Sequence, residues 1–83
     1  MYYVYVLKLE NANDRKYYIG YSSDLRKRLV QHKNNLVKST KNKKPILIYY
    51  EAFNDKYLAL RREKGIKSSG SVYMSLFKRL GLK

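Results

Sequence analysis

A chain of 83 residues has room for one core and no second domain, and with 45% hydrophobic residues, ten tyrosines and two phenylalanines it can pack that core rather than stay disordered. It has no cysteine and one histidine, which excludes a disulfide framework, thiol catalysis and the usual zinc ligand sets. Nineteen Lys and Arg against six Asp and Glu give a net charge of +13, which calls for a polyanionic partner, nucleic acid before an anionic membrane surface.

Residues 2–8 (YYVYVLK) are aromatic and β-branched with no breaker, and read as a strand. Both of its faces are apolar, so it is buried on both sides or puts its tyrosines to use. Glu10-Asn11-Ala12-Asn13-Asp14 is rich in turn formers, and residues 16–21 (KYYIGY) resume the strand composition with Gly20 near the end. The two make an antiparallel hairpin, and a turn centred between Asn11 and Ala12 sets Tyr5 opposite Tyr18. A helix follows, capped by Ser23 or Asp24 and running to about His32. At helical spacing Leu25, Leu29 and Leu36 form a narrow apolar stripe with His32 inside it and Arg28 on its flank, while Lys27 and Gln31 point away.

Residues 33–44 are polar and basic, and read as an exposed loop. Pro45 opens a third strand, ILIYYEAF, at a position where proline is tolerated. A second helix starts at Asn54, with Phe53 and Leu58 as a hydrophobic staple. It buries Leu58, Ala59 and Ile66, with Arg62 and Glu63 close to that side. Gly65 weakens it and Ser68-Ser69-Gly70 ends it. A last helix, capped by Ser71, buries Val72, Tyr73, Leu76, Phe77 and Leu80. The order β-β-α-β-α-α defines an α+β domain over 1–83, a small antiparallel three-stranded sheet flanked by helices. No apolar run approaches the ~18 residues of a transmembrane span. Met1 to Leu7 lacks the basic region and cleavage site of a signal peptide. A soluble, cytoplasmic domain with no membrane partner is expected.

A single tyrosine on such a strand usually serves packing. Tyr18-Ile19-Gly20 at a strand end, with Tyr5 on a neighbouring strand, is a different pattern, because glycine lets another backbone or a ligand come close. At these residues the sequence resembles the GIY-YIG nucleases. Val4-Tyr5-Val6 matches the first motif, with Tyr3 in place of its leading glycine, and Tyr18-Ile19-Gly20 matches the second as it stands. In that family a helix after the second motif carries an arginine ten residues beyond the motif tyrosine and a histidine or tyrosine four later, positions held here by Arg28 and His32. A later helix of the family has a glutamate in an A-x-x-x-E-K-like setting, met here by Ala59 to Lys64 with Glu63. The match spans essentially the whole chain and is best to the small single-domain members. Tyr21 stands where many relatives have lysine, which leaves a phosphate contact to Lys16 or the 33–44 loop. An asparagine seen late in some relatives has no counterpart between Ser68 and Ser75.

The resemblance implies a GIY-YIG type endonuclease that hydrolyses DNA phosphodiesters with Tyr5, Tyr18, Arg28, His32 and Glu63 as its catalytic set. Glu63, one of six acids in the chain, would hold one Mg²⁺ (or Mn²⁺) together with the substrate phosphate. The plain alternative for Glu63 is a surface ion pair with Lys67, worth about 0.3–0.5 kcal/mol. Arg28 has a planar fork suited to a phosphate, against the usual solvated charge. His32, on an apolar helix face, is packed and satisfied on the plain reading; the resemblance has it bond a tyrosine and help deprotonate it. Tyr5 is then the general base or its relay, and Tyr18 positions water or phosphate. A free phenol titrates near pH ~10, so it needs cationic neighbours or a metal-bound water, and which tyrosine is the base stays open. Lys33, Lys38, Lys41, Lys43, Lys44 and Lys67, with Lys16 and Lys83 among the further basic residues, would hold backbone phosphates without reading bases. With no DNA-reading domain attached, the expectation is low sequence specificity, a preference for DNA structure, or a partner protein that supplies specificity. The rival is a non-catalytic DNA- or RNA-binding protein that stacks bases on exposed strand tyrosines. It needs several tyrosine faces open to solvent; the nuclease needs its five residues in one cleft.

Overall fold

A central strand with two apolar faces demands cover on both sides, and the rest of the chain supplies it. The structure, a computed structural model, describes residues 1–13 and 16–82. Asp14, assigned above to the turn, and Lys83, assigned to the basic surface, lie outside the described residues. The elements are β1 (Tyr2–Leu9), β2 (Tyr17–Ser22), α1 (Leu25–Lys33), a 3-10 turn (Lys38–Thr40), β3 (Pro45–Phe53), α2 (Lys56–Ser68) and α3 (Gly70–Arg79). The strands lie in the order β2-β1-β3, all antiparallel. The expected α+β class and the β-β-α-β-α-α order are what the chain forms.

β1 is the middle strand. On one face Val4 and Val6 join Ile19 under Ala59, Ile66, Leu76 and Phe77, so α2 and α3 cover that side. On the other face Tyr5, Leu7 and Leu9 pack with Tyr18, Leu25, Leu29 and Leu47 beneath α1. Each such aliphatic or aromatic side chain contributes about 1.5–3 kcal/mol when fully buried. A bulge on β3 interrupts the ladder: Val6 pairs with Tyr49 but Leu7 with Leu47, which leaves Ile48 without a partner on β1.

The hairpin register differs from expectation. Tyr5 pairs with Gly20, and Tyr18 lies opposite Leu7. The Leu9 amide donates to the Lys16 carbonyl at 2.7 Å, so the pairing runs further into the connection and the turn centres between Ala12 and Asn13. The slip is two residues, an even number, so Tyr18 stays on the same face as Tyr5.

Helix boundaries follow side chains that reach backbone amides. Asp24 caps α1 by accepting from the Lys27 amide at 3.1 Å. The chain leaves the helix through Asn34 and turns at Asn35, whose φ is 60°. Leu36 is therefore not on the α1 stripe; it is 71% exposed. α2 is capped by Asp55, not Asn54, because its carboxylate reaches the amides of both Tyr57 (2.7 Å) and Leu58 (3.2 Å). That one-residue shift breaks the expected staple: Leu58 is exposed, and the buried residues of α2 are Ala59 and Ile66. Ser69, not Ser71, caps α3. Its hydroxyl accepts from the Val72 amide, while its own amide closes α2 on the Gly65 carbonyl.

The 33–44 segment is not a plain exposed loop. Val37 and Thr40 are buried. The Asn11 amide donates to the Lys43 carbonyl at 3.0 Å, and the Asn42 amide to Asn35 Oδ1 at 3.0 Å. The segment is a strap tied to the hairpin connection, with Lys33, Lys38, Lys41 and Lys44 outward and Lys43 half-buried.

Candidate active site

β1 and β2 place Tyr5 and Tyr18 on the face that α1 covers, and Gly20 makes room for them. A Cβ at position 20 would overlap Cζ and the hydroxyl of Tyr5. The glycine is required by space, so that the Tyr5 ring can lie flat across its ladder partner.

α1 brings His32 down onto that ring. His32 Nε2 is 2.8 Å from the Tyr5 hydroxyl, and His32 Nδ1 is 2.7 Å from the Thr40 hydroxyl. The three side chains are 0–1% exposed. The imidazole meets the two phenol rings edge-on, with centroids 5.6 Å from Tyr5 and 5.3 Å from Tyr18. One turn earlier on α1, the Arg28 guanidinium stands close enough to Tyr5 and Tyr18 for its charge to act on both phenols. It also donates to Gln31 Oε1 at 3.1 Å. Gln31 thus turns toward the site and not away from it. With Lys27, also expected to point away, it lines a concavity of about 370 Å³ that opens beside Arg28 between Tyr21 and Ser23. A larger groove, about 730 Å³, runs between Tyr3, Tyr50, Leu25 and Leu29 and contains none of the five residues.

Burial sets the protonation states. It pushes the Tyr5 phenol up to about 12, against the lowering effect of Arg28, with Tyr18 and Glu63 adding to the rise. Burial, then the Arg28 charge, pushes His32 down to about 4. At neutral pH the phenol keeps its proton and the imidazole is uncharged. Transfer of that proton within the resting pair is opposed from both ends.

Glu63 lies on α2, in an ion pair with Lys67 at 3.1 Å. The plain alternative for this residue is therefore formed, and it is formed beside the phenols: Lys67 Nζ stands 6.0 Å from the Tyr18 ring centroid, and the carboxylate acts on Tyr5. β2 is an edge strand, so groups on α2 can meet Tyr18 past it. Tyr5, Tyr18 and His32 are in direct contact, the Arg28 charge acts on both phenols, and Glu63 adjoins them through Lys67.

Among the described residues, the other partly buried carboxylate is committed elsewhere. Glu51 accepts from Arg62 Nε at 2.8 Å and Arg62 Nη2 at 2.9 Å, and from the Tyr49 hydroxyl, which in turn accepts from Arg79. Among the described residues, no three His, Asp or Glu side chains group as a metal cluster. Of the ten tyrosines, Tyr50 and Tyr57 are exposed, one on β3 and one on α2. Thr40 escaped the sequence reading, since a hydroxyl residue among lysines and asparagines is ordinary loop composition.

This arrangement of paired phenols, guanidinium, imidazole and carboxylate on a three-stranded sheet has a counterpart among known families. The model of the GIY-YIG catalytic domain matches residues 1–74. A UPF0213 protein of Staphylococcus saprophyticus is 40% identical over 68 residues, covering 80% of this chain and 79% of the relative. One from Halobacterium salinarum is 35% identical over 69 residues, 81% of this chain and 86% of the relative. One from Streptococcus pyogenes is 40% identical over 63 residues, 74% and 65% respectively. No solved structure gives a significant match. The chain belongs to the GIY-YIG family, a nuclease superfamily, and its relatives are small UPF0213 proteins. Among the described residues, no helix is long and apolar enough to cross a membrane.

Proposed function

We propose that the protein is a metal-dependent endonuclease that hydrolyses DNA phosphodiester bonds with low sequence specificity or a preference for DNA structure. One observation carries the reading: residues from β1, β2, α1 and α2 converge so that the Arg28 charge acts on both phenols and Glu63 stands beside them through Lys67. A purely structural cluster has no need of a guanidinium and a carboxylate at the edge of a buried phenol–imidazole pair.

In this reading Arg28 is the phosphate ligand. It stands beside Tyr5, which is 0% exposed, so an arriving phosphate that draws the guanidinium outward would open a way to the phenol. Tyr5 then relays a proton toward His32, and Tyr18, half-buried at the outer layer, positions the water or the phosphate. Glu63 is a hard oxygen donor and fits Mg²⁺ or Mn²⁺, which keeps most of its waters and needs one protein carboxylate plus the substrate phosphate. Its Lys67 partner would release it to do so. When bound, the cation supplies charge neutralisation at the phosphate. Lys33, Lys38, Lys41, Lys43 and Lys44 on the strap, with Lys67, hold the backbone of DNA, a contact independent of sequence. Specificity would come from DNA structure or from a partner protein. The rival base-stacking reading is less favoured, because eight of the ten tyrosines are buried or half-buried and the two exposed ones, Tyr50 and Tyr57, lie on separate elements.

The test is incubation of the purified protein with duplex, nicked, branched and single-stranded DNA, with Mg²⁺ or Mn²⁺ and with chelator. The expected result is cation-dependent cleavage that Glu63→Ala lowers by about 100-fold or more, with DNA affinity changed only a few-fold. A Glu63→Ala variant that cuts at the wild-type rate overturns the assignment.

A further inference from the structure

We infer that Thr40 is a positioning residue: its hydroxyl oxygen accepts from His32 Nδ1–H and fixes the imidazole in that tautomer, leaving Nε2 as the acceptor for the Tyr5 phenol. The geometry is that of a three-member chain, Thr40 Oγ1 to Nδ1 at 2.7 Å and Nε2 to the Tyr5 hydroxyl at 2.8 Å. A neutral imidazole has one N–H, so one ring nitrogen donates and the other accepts. The Tyr5 hydroxyl decides which. The Arg28 charge acts on its oxygen, and a guanidinium has only donors. The phenol proton is buried and needs an acceptor, and of the two groups that meet the hydroxyl only Nε2 can be one. The ring proton therefore sits on Nδ1, and Thr40 accepts it.

Thr40 is held for this task. Its amide donates to the Val37 carbonyl at 3.1 Å and its carbonyl accepts from the Lys43 amide at 3.1 Å. Val37 is buried and Thr40 is 0% exposed, so water does not compete for Nδ1. The strap that carries the lysines is thereby pinned to the imidazole. The opposite tautomer would aim Nε2–H at the phenol oxygen on which the Arg28 charge already acts, and would take Nε2 away as the acceptor of the Tyr5 proton. This consequence for proton transfer rests on the nuclease reading; the tautomer does not.

The experiment separates the two. The chain has one histidine, so its imidazole ¹⁵N resonances belong to His32 alone. Without DNA, near pH 7.5, the wild type is expected to give a protonated Nδ1 and a bare Nε2. Thr40→Val keeps the shape and removes the acceptor; it should move population to the Nε2–H form and lower kcat about tenfold or more at an unchanged KM. Thr40→Ser should restore both. A wild type with Nε2 protonated overturns the inference even if the protein cuts DNA, and so does Thr40→Val with an unchanged tautomer. A wild type with Nδ1 protonated that cuts no DNA supports the positioning role and refutes the nuclease. If Thr40→Val does not fold, the wild-type and Thr40→Ser spectra still decide the tautomer.

Discussion

The Tyr5 ring occupies the space that a side chain on Gly20, its ladder partner, would need. The glycine of the second motif is thus a packing requirement of the tyrosine of the first. Gly20→Ala must displace a phenol that is hydrogen-bonded to His32 and lies within reach of the Arg28 charge. The expected loss is about 1–3 kcal/mol, as for other overpacked cores. Urea unfolding measures it. In a Tyr5→Leu background the same alanine should cost less, because the ring it collides with is gone. A double-mutant cycle with additive losses would place the origin of the glycine elsewhere.

His32 gives the fold an acid-sensitive point. Its pKa falls from 6.5 unfolded to about 4 folded, for burial and for the Arg28 charge. The unfolded chain takes up the proton first as pH falls. The stability is complete above 6.5, declines from there to about 4 and is flat for this group below that. Between pH 7 and 5 the loss should be about 2 kcal/mol. Glu51 acts in a lower window. Burial raises its carboxyl, but the hydrogen bonds from Arg62 and Tyr49 outweigh that and hold it below 4.5, so its contribution is present above 4.5 and lost beneath. Urea titrations at pH 7 and 5 should show the slope in the wild type and a much flatter response in His32→Gln.

Much of this was legible in the sequence, and the exceptions have physical reasons. β1 declared itself by having no polar face, and Arg28 and His32 by standing one turn apart on a short helix with Asp24 ready to cap it. The hairpin slipped by two residues because turn formers fill the whole connection and none fixes its centre. The α2 cap moved from Asn54 to Asp55 because both residue types cap well, and the choice depends on which side chain reaches two amides. Leu36 left its stripe because Asn35 adopts positive φ, which asparagine tolerates in many contexts. Thr40 was invisible because its partner lies eight residues back, across a turn whose path local composition does not encode.

The two carboxylates of β3 and α2 should separate stability from chemistry. Glu51 holds the Arg62 fork at 2.8 and 2.9 Å on the side of the sheet away from the phenols. Glu51→Gln should lower stability by roughly 1–3 kcal/mol, the range for hydrogen bonds to charged groups, and leave cleavage per folded molecule unchanged. Glu63→Gln should do the reverse. Its pair with Lys67 is an ordinary i, i+4 contact, so stability should shift by less than about 0.5 kcal/mol while cleavage is lost. Parallel melting curves and nicking assays on the two variants check both halves. Cleavage that survives Glu63→Gln but fails in Glu51→Gln would move the metal ligand to β3.

The outward lysines of the strap make the last case. Lys33, Lys38 and Lys41 are exposed on a segment that Thr40 and Val37 anchor beneath them, so their charges can be removed without opening the core. Each lysine that neutralises a duplex phosphate adds about 0.9 to the slope of log affinity against log salt. Replacing all three by glutamine should lower that slope by up to about 2.7 and weaken binding about equally for unrelated DNA sequences. Fluorescence anisotropy over a range of potassium chloride concentrations measures the slope. An unchanged slope in the triple variant would mean that DNA lies along another face.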